Sequence, residues 1–232
     1  MTLSRFGEPQ TDLTEGWTTH TGGRAGTELV SYRTLRRVVG LLGVSLPIVL
    51  ALWGFALLGK VQLLASISDY YSLRTRDAFV GVLFTIGWFL FTYRGYDWRD
   101  NAAGNLACVF ALGVALFPNG GSRGEHIVHV VSATALFLVL AYFSFFLFTL
   151  SDGWPTAQKL VRNRIYRACG VAMATCILAI GAESLFLSVA SPNGFSRVFW
   201  LESLALWAFG GSWFVKGETV FKDRLRDHEA LQ

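Results

Sequence analysis

Six apolar segments, each close to the length needed to cross a bilayer, constrain this sequence more than any other feature. They cover residues 38–59, 78–93, 103–118, 127–150, 168–190 and 198–215. A transmembrane helix needs about 20 apolar residues because it must cross about 30 Å of hydrocarbon. Apolar and polar residues do not alternate along the segments, as they would in a membrane β-barrel. The sequence therefore predicts an all-α fold, a polytopic membrane protein with a bundle of six transmembrane helices.

The composition excludes several other classes of protein. Of the 232 residues, 53% are hydrophobic and 16% are charged, and the mean hydropathy is +0.44. Soluble domains carry about 25% charged residues. A disordered chain and an ordinary cytosolic enzyme are therefore excluded. Cys108, Cys169 and Cys176 lie within apolar runs, which indicates packing residues and not a disulfide framework.

The distribution of Lys and Arg predicts the orientation. With the N-terminus inside, fifteen of the twenty Lys and Arg residues fall on the cytoplasmic side. The positive-inside rule then places both termini in the cytoplasm and the chain in the inner or plasma membrane. The same bias accounts for the net charge of +4, so we expect no nucleic-acid partner. We predict a disordered cytosolic tail over 1–33, the transmembrane domain over 34–216 and a cytosolic C-terminal tail over 217–232.

A polar loop follows the first apolar segment, on the outer side of this topology. One interpretation is a turn closed by Ser and Asp side chains, with Asp77 capping the second helix. The alternative is a lipid headgroup site, in which Arg76 pairs with a phosphate. The candidate ligand-binding residues of the loop are Ser66, Ser68, Asp69, Tyr70, Tyr71, Arg76 and Asp77.

His126, His129 and Glu202 are the other candidate ligand-binding residues, and all three are predicted near the outer end of the bundle. The two histidines are three residues apart on one helix, so they could share a zinc ion, but two ligands do not make a zinc site. A carboxylate from Asp77, Glu125 or Glu202 would have to complete it. We therefore predict no metal ligand set and no cofactor, and favour hydrogen-bonding histidines.

Glu183 and Glu202 are ionisable residues inside predicted spans. A carboxyl in a span normally faces the interior of the bundle and has a partner there. Each glutamate either locks helices together or belongs to an outward-facing polar pocket that includes His129.

Small residues mark the faces on which membrane helices approach each other closely. The third segment carries a stripe of them at a spacing of four residues, Ala103, Ala107, Ala111 and Ala115. We expect this helix in the middle of the bundle. Small-residue faces also offer a route to a homo-oligomer.

Short motifs along most of the chain, from about Val38 to Lys216, carry a resemblance to a known family. They are Ile67-Ser68-Asp69 with Asp77 and Ala78-Phe79-Val80-Gly81; Asn105, Gly113 and Phe117-Pro118; His129 with Ser132 and Ala133; and Leu201-Glu202-Ser203 with Trp207, Phe209 and Trp213. In these residues the chain resembles the DRAM/FRAG/SFK family of six-helix membrane proteins. The resemblance implies cytoplasmic termini and a role in lipid handling. Tyr70 and Tyr71 depart from the family pattern, in which a small residue is more typical.

Three functions remain open at this point. The leading one is a non-enzymatic lipid-binding or lipid-homeostasis protein, in which Arg76 pairs with phosphate and His129 and Glu202 order the pocket. The second is a metal-assisted lipid hydrolase or acyl-transfer enzyme with a zinc-activated water. The CREST-type zinc hydrolases are less similar, because this chain lacks their third His and seventh span. The third is a small proton-coupled transporter that uses Glu183 and Glu202. Walker, GxSxG, HExxH and dinucleotide-binding motifs are absent from the sequence.

Overall fold

The part of the chain that the structure describes contains six α-helices, which match the six apolar segments in order. The computed structural model describes residues 21–59, 63–95, 97–151, 155–186 and 196–217. Short 3₁₀ helices cover Ser68–Ser72 and Leu147–Thr149, and these ranges contain no strand, so the all-α class is confirmed for them. The α-helices are α1 (Thr21–Leu58), α2 (Arg76–Thr92), α3 (Trp98–Leu116), α4 (Arg123–Phe145), α5 (Ala157–Phe186) and α6 (Arg197–Lys216).

The surface of the bundle is that of a membrane protein. Four helices contain stretches long and apolar enough to cross a bilayer: Tyr32–Leu58, Arg123–Thr149, Ala157–Leu185 and Arg197–Lys216. A broad apolar surface of this kind marks contact with a membrane or another protein. All six helices expose large apolar side chains, for example Leu52, Trp88, Val109, Val131, Leu178 and Leu204.

The helices pack as a closed ring in chain order, and α6 returns to pack against α1. The third helix lies in the ring between α2 and α4, so the expectation that it occupies the middle of the bundle is wrong. Its small residues are nevertheless used inside the chain. Gly104 lies so close to the Leu90 carbonyl that a Cβ would not fit. The predicted alanine stripe is buried at Ala103, Ala107, Ala111 and Ala115.

The first helix begins at Thr21, inside the segment predicted as a tail. Hydrogen bonds hold its N-terminal part against neighbouring elements. The Arg37 Nε donates to the Gly217 carbonyl at 3.2 Å, and the Tyr32 hydroxyl accepts from the Arg94 N–H at 3.1 Å. Residues 1–20 and 218–232 of the two predicted tails lie outside the described residues.

The fifth helix begins at Ala157, well before the predicted start at residue 168. The prediction followed apolar residues alone, and the basic residues that precede them are also helical. Lys159 is buried there, and its Nζ donates to the carbonyls of Phe148 and Leu150 at 2.8 Å each. Phe148 lies within the second 3₁₀ helix, and Leu150 follows it directly. The Lys159 ammonium therefore holds the α4–α5 connection together by these two hydrogen bonds. The helix continues through this charged residue.

An aromatic cluster packs the end of the bundle at which α6 terminates. Trp213 is fully buried at its centre. Its ring contacts those of Tyr93, Phe143, Phe148 and Phe209, with centroids 5.2–6.1 Å apart. The opposite end, which we call the loop end, carries the α1–α2 loop, the α3–α4 turn and the start of α6. The polar candidate residues lie at the loop end.

Candidate functional site

The loop between α1 and α2 folds back on itself through Ser66 and Asp69. The Ser66 backbone N–H donates to Asp69 Oδ2 at 3.0 Å, and the Asp69 N–H donates to Ser66 Oγ at 3.1 Å. The predicted Ser–Asp turn is therefore present. Asp77 does not cap α2, because the helix begins after Thr75, whose hydroxyl donates instead to the Tyr70 carbonyl at 2.7 Å.

Tyr70 holds the middle of the loop. Its ring is fully buried, and its centroid lies 6.0 Å from that of Phe199. The phenol oxygen accepts from the Leu64 N–H at 3.4 Å. Burial raises the pKa of this phenol, and the hydrogen bond from Leu64 opposes the shift. Tyr70 is therefore a packing residue of the loop.

Residues at the start of α6 hold this loop by hydrogen bonds from one side. Glu202 Oε2 accepts from the Ile67 backbone N–H at 2.6 Å. The Ala65 carbonyl accepts from the Phe199 N–H at 3.2 Å and also from the Ser196 hydroxyl. A buried backbone group without a partner is costly, so Glu202 provides an acceptor that the loop needs.

His129 on α4 fastens the loop from the other side. Its Nε2 lies 2.9 Å from Ser68 Oγ, and its Nδ1 lies 2.7 Å from the Phe117 carbonyl oxygen at the end of α3. His129 is only 2% exposed, and Ser68 is 8% exposed. The α1–α2 loop, the end of α3 and α4 therefore meet at one buried imidazole.

Asn119 completes this arrangement, and the sequence analysis did not identify it. Its Nδ2 donates to Asp69 Oδ1 at 3.1 Å, and its carbonyl lies 2.9 Å from His126 Nδ1. The only sequence signal was a polar residue directly after Phe117-Pro118. We refer to Ser66, Ser68, Asp69, Asn119, His129 and Glu202 as the polar cap.

An apolar cavity of about 50 Å³ lies directly beneath the polar cap. A cavity needs about 10–15 Å³ to hold one water, so this cavity has room for more than one. Ser68 and Glu202 line the cavity where it meets the cap. Apolar side chains from five helices form its remaining walls, including Leu46, Leu83, Val114, Leu136 and Leu206.

The remaining candidate residues lie outside the polar cap. Arg76 is exposed, and its guanidinium carbon stands 4.6 Å from the centre of the Tyr71 ring. Asp77 and His126 are also exposed. The structure thus brings five of the ten predicted residues into the polar cap. Tyr70 packs the middle of the loop, and the other four, Tyr71, Arg76, Asp77 and His126, lie around the cap.

Two carboxylates that were candidates in the alternative functions have hydrogen-bonding partners close by. Glu183 Oε1 pairs with Arg197 Nε at 2.8 Å. Glu125 caps α4, since its Oε2 accepts from the Ser122 N–H at 2.7 Å. Within the described ranges no cluster of three or more His, Cys, Asp or Glu residues could hold a metal ion.

No protein-family model matches this sequence, and the chain has no significant match among curated proteins or solved structures. The resemblance to the DRAM/FRAG/SFK family therefore rests on the residues named in the sequence analysis.

Proposed function

We propose that this chain is a six-span protein of the inner or plasma membrane that binds a lipid at its loop end. The lipid places the part of an acyl chain next to its ester in the cavity, which at about 50 Å³ has room for about three to five water-sized groups. Its glycerol and ester groups lie against Ser68 and Glu202. The lipid handling implied by the DRAM/FRAG/SFK resemblance agrees with this function. We infer that the protein belongs to that family.

The topology proposed here has both termini in the cytoplasm. Besides the four long apolar helices, α2 and α3 have 17 and 19 residues and pack in the same ring. Both also expose apolar side chains, Trp88 on α2 and Val109 on α3. The bias of Lys and Arg supports the orientation, and the loop end then faces outward.

The single observation that carries the binding proposal is an apolar cavity with a polar end. The walls are aliphatic and aromatic, and the polar residues that line the cavity are Ser68 and Glu202. Ligand pockets are mostly apolar and use a few placed polar groups to fix orientation. A glycerolipid has the matching order of groups along its length, since its esters separate an acyl chain from a polar head.

The headgroup would lie above the loop, beside the outer candidate residues. Arg76 is exposed there and is held over the Tyr71 ring, so its guanidinium is free to face a phosphate. Arg binds phosphate oxygens in bidentate geometry. We therefore propose an anionic or zwitterionic phospholipid as the ligand.

Photo-crosslinking tests this function. A phospholipid with a diazirine on its acyl chain is incorporated with the purified protein into nanodiscs, and labelled residues are mapped by mass spectrometry. We expect labels on cavity residues such as Leu136 and Leu206. Ala133→Leu narrows the cavity and should remove these labels. Thr134→Leu, one residue along on the exposed side of α4, is the matched control and should retain them.

The two variants separate binding in the cavity from contact with bulk lipid. Labels confined to outward-facing residues such as Val131 in the wild type would refute the proposal. So would cavity labels that persist in a folded Ala133→Leu protein, because the chain would then not occupy the space that the leucine fills.

A further inference from the structure

Ser68, His129 and the Phe117 carbonyl stand in the order nucleophile, base and orienting group. Their two contacts measure 2.9 Å for Ser68 Oγ to His129 Nε2 and 2.7 Å for His129 Nδ1 to the Phe117 oxygen. A carbonyl oxygen only accepts hydrogen bonds, so Nδ1 must carry the proton in this contact. In the neutral imidazole Nε2 is then the acceptor, and the Ser68 hydroxyl donates to it.

This is the hydrogen-bonding order by which a serine becomes a nucleophile in acyl transfer. A carboxylate usually orients the histidine, and here a main-chain carbonyl occupies that position. The carbonyl fixes the required tautomer but carries less negative charge than a carboxylate. We therefore expect a slow nucleophile compared with a full triad.

The elements that carry the three groups are fixed before any substrate binds. Ser68 begins a 3₁₀ helix whose entrance is held by the Ser66–Asp69 turn and by Glu202. His129 lies within α4. Positioning of this kind lowers the barrier because the reacting groups need not be ordered during the reaction.

Ser68 lines the apolar cavity and is otherwise buried, so the cavity is the route by which a substrate would approach this residue. A substrate must therefore bring an apolar chain beneath the polar cap and present its carbonyl at the upper end. We propose that Ser68 is the nucleophile and His129 the general base of an acyl-transfer site that acts on an ester-linked acyl chain of a membrane lipid. This inference rests on the proposed function, because it requires the acyl chain to occupy the cavity.

The proposed reaction has two steps. Ser68 Oγ bonds to the ester carbonyl carbon while its proton passes to His129 Nε2. The ester C–O bond then breaks, and the departing alkoxide takes that proton, which leaves acyl-Ser68 and a lysolipid. Water, or the hydroxyl of a second lipid, attacks the acyl carbon and gives its proton to His129. Ser68 recovers the proton as the acyl bond breaks, and the product is a fatty acid or a new ester.

A fluorophosphonate with a long alkyl chain tests the nucleophile directly, because it phosphonylates activated serines and releases fluoride. We expect one adduct per wild-type chain, mapped to Ser68 by mass spectrometry, and none on Ser68→Ala. His129→Gln keeps a polar group but cannot take up the proton, so labelling should slow about 10²–10⁴-fold. Ser203→Ala is the matched control, since Ser203 is equally buried but donates to the Phe199 carbonyl. It should label at the wild-type rate.

Three results would overturn the acyl-transfer proposal. The first is a wild-type protein that remains unlabelled by both short-chain and long-chain probes. The second is a labelling rate unchanged in a folded His129→Gln protein. The third is labelling abolished by EDTA, which would point to the zinc-assisted alternative.

Lipid crosslinking of Ser68→Ala distinguishes failure of this inference from failure of the binding proposal. Cavity labels in that variant, with no wild-type adduct, would refute acyl transfer and leave lipid binding intact. Loss of cavity labels from the wild type itself would refute both.

Discussion

Replacing Glu202 with alanine should release the α1–α2 loop without unfolding the bundle. Glu202 Oε2 accepts from the Ile67 N–H at 2.6 Å, and Ile67 is only 4% exposed. A buried donor that loses its acceptor costs about 1–3 kcal/mol. This cost falls on local opening of the loop, because the lost hydrogen bond joins the loop to α6. The bonds from Phe199 and Ser196 to the Ala65 carbonyl remain.

Amide hydrogen exchange of the peptide that contains residues 63–75 measures this opening. A loss of about 1–3 kcal/mol corresponds to exchange about 5–150 times faster. Glu202→Gln retains a carbonyl acceptor, so its effect should stay below about 1 kcal/mol. Peptides from the centre of α4 should exchange at the wild-type rate in both variants.

Glu183→Ala is the matched control for this experiment. Glu183 is also a glutamate at the loop end, but it pairs with Arg197, whose side chain is 43% exposed. Exposed ion pairs contribute about 0–1 kcal/mol. The control should therefore leave the loop peptide unchanged. Loop exchange within twofold of wild type in Glu202→Ala would refute the assignment of Glu202 as the loop anchor.

Three further predictions follow from other parts of the structure. Gly104→Ala should push α2 away from α3 and destabilise the fold by about 1–3 kcal/mol, which lowers the melting temperature in detergent. Gly124 faces open space, so Gly124→Ala should leave the melting temperature unchanged. Equal melting temperatures of the two variants would contradict the close approach of α2 and α3. Arg76→Ala should reduce co-purified anionic phospholipid, measured by mass spectrometry, and unchanged lipid would remove Arg76 from the headgroup site. A cysteine at Gly120 should react with a membrane-impermeant maleimide on intact cells and one at Ala157 should not; the reverse would invert the topology.

The existence and order of the helices were predictable because apolar runs of bilayer length leave a backbone few other ways to satisfy its hydrogen bonds. Their ends were less predictable where polar residues continue the helix. In α3, for example, the Asp97 side chain accepts from the Arg99 N–H at 2.7 Å, and the helix begins at Trp98 and not at residue 103. In α5, Lys159 precedes the predicted start at residue 168, yet it lies within the helix and its Nζ donates to the Phe148 carbonyl.

The candidate site was predictable only as a set of polar residues at one depth in the membrane. Ser68 and His129 are 61 positions apart, and no periodicity relates them. Arg76 had the most suggestive chemistry for a ligand, yet it is exposed and its guanidinium lies over the Tyr71 ring, outside the polar cap. Asn119 gave no signal beyond its place in a turn. The residues that form the site differ from the other candidates in being buried and close together. Both properties depend on how the helices pack into the ring.

The least predictable member of the site is the Phe117 carbonyl, because a main-chain oxygen has no signature in a sequence. Its position depends on how closely α3 approaches α4. Gly113 lies one turn before Phe117, and a Cβ there would overlap the Ser132 side chain on α4. The glycine thus permits the approach that brings the end of α3 against His129. A search for a Ser–His–Asp motif would overlook this arrangement, since small residues and backbone provide what a third side chain provides elsewhere. The order of the two hydrogen bonds, from Ser68 to His129 and from His129 to Phe117, is therefore the observation that distinguishes a candidate nucleophile from an ordinary buried serine.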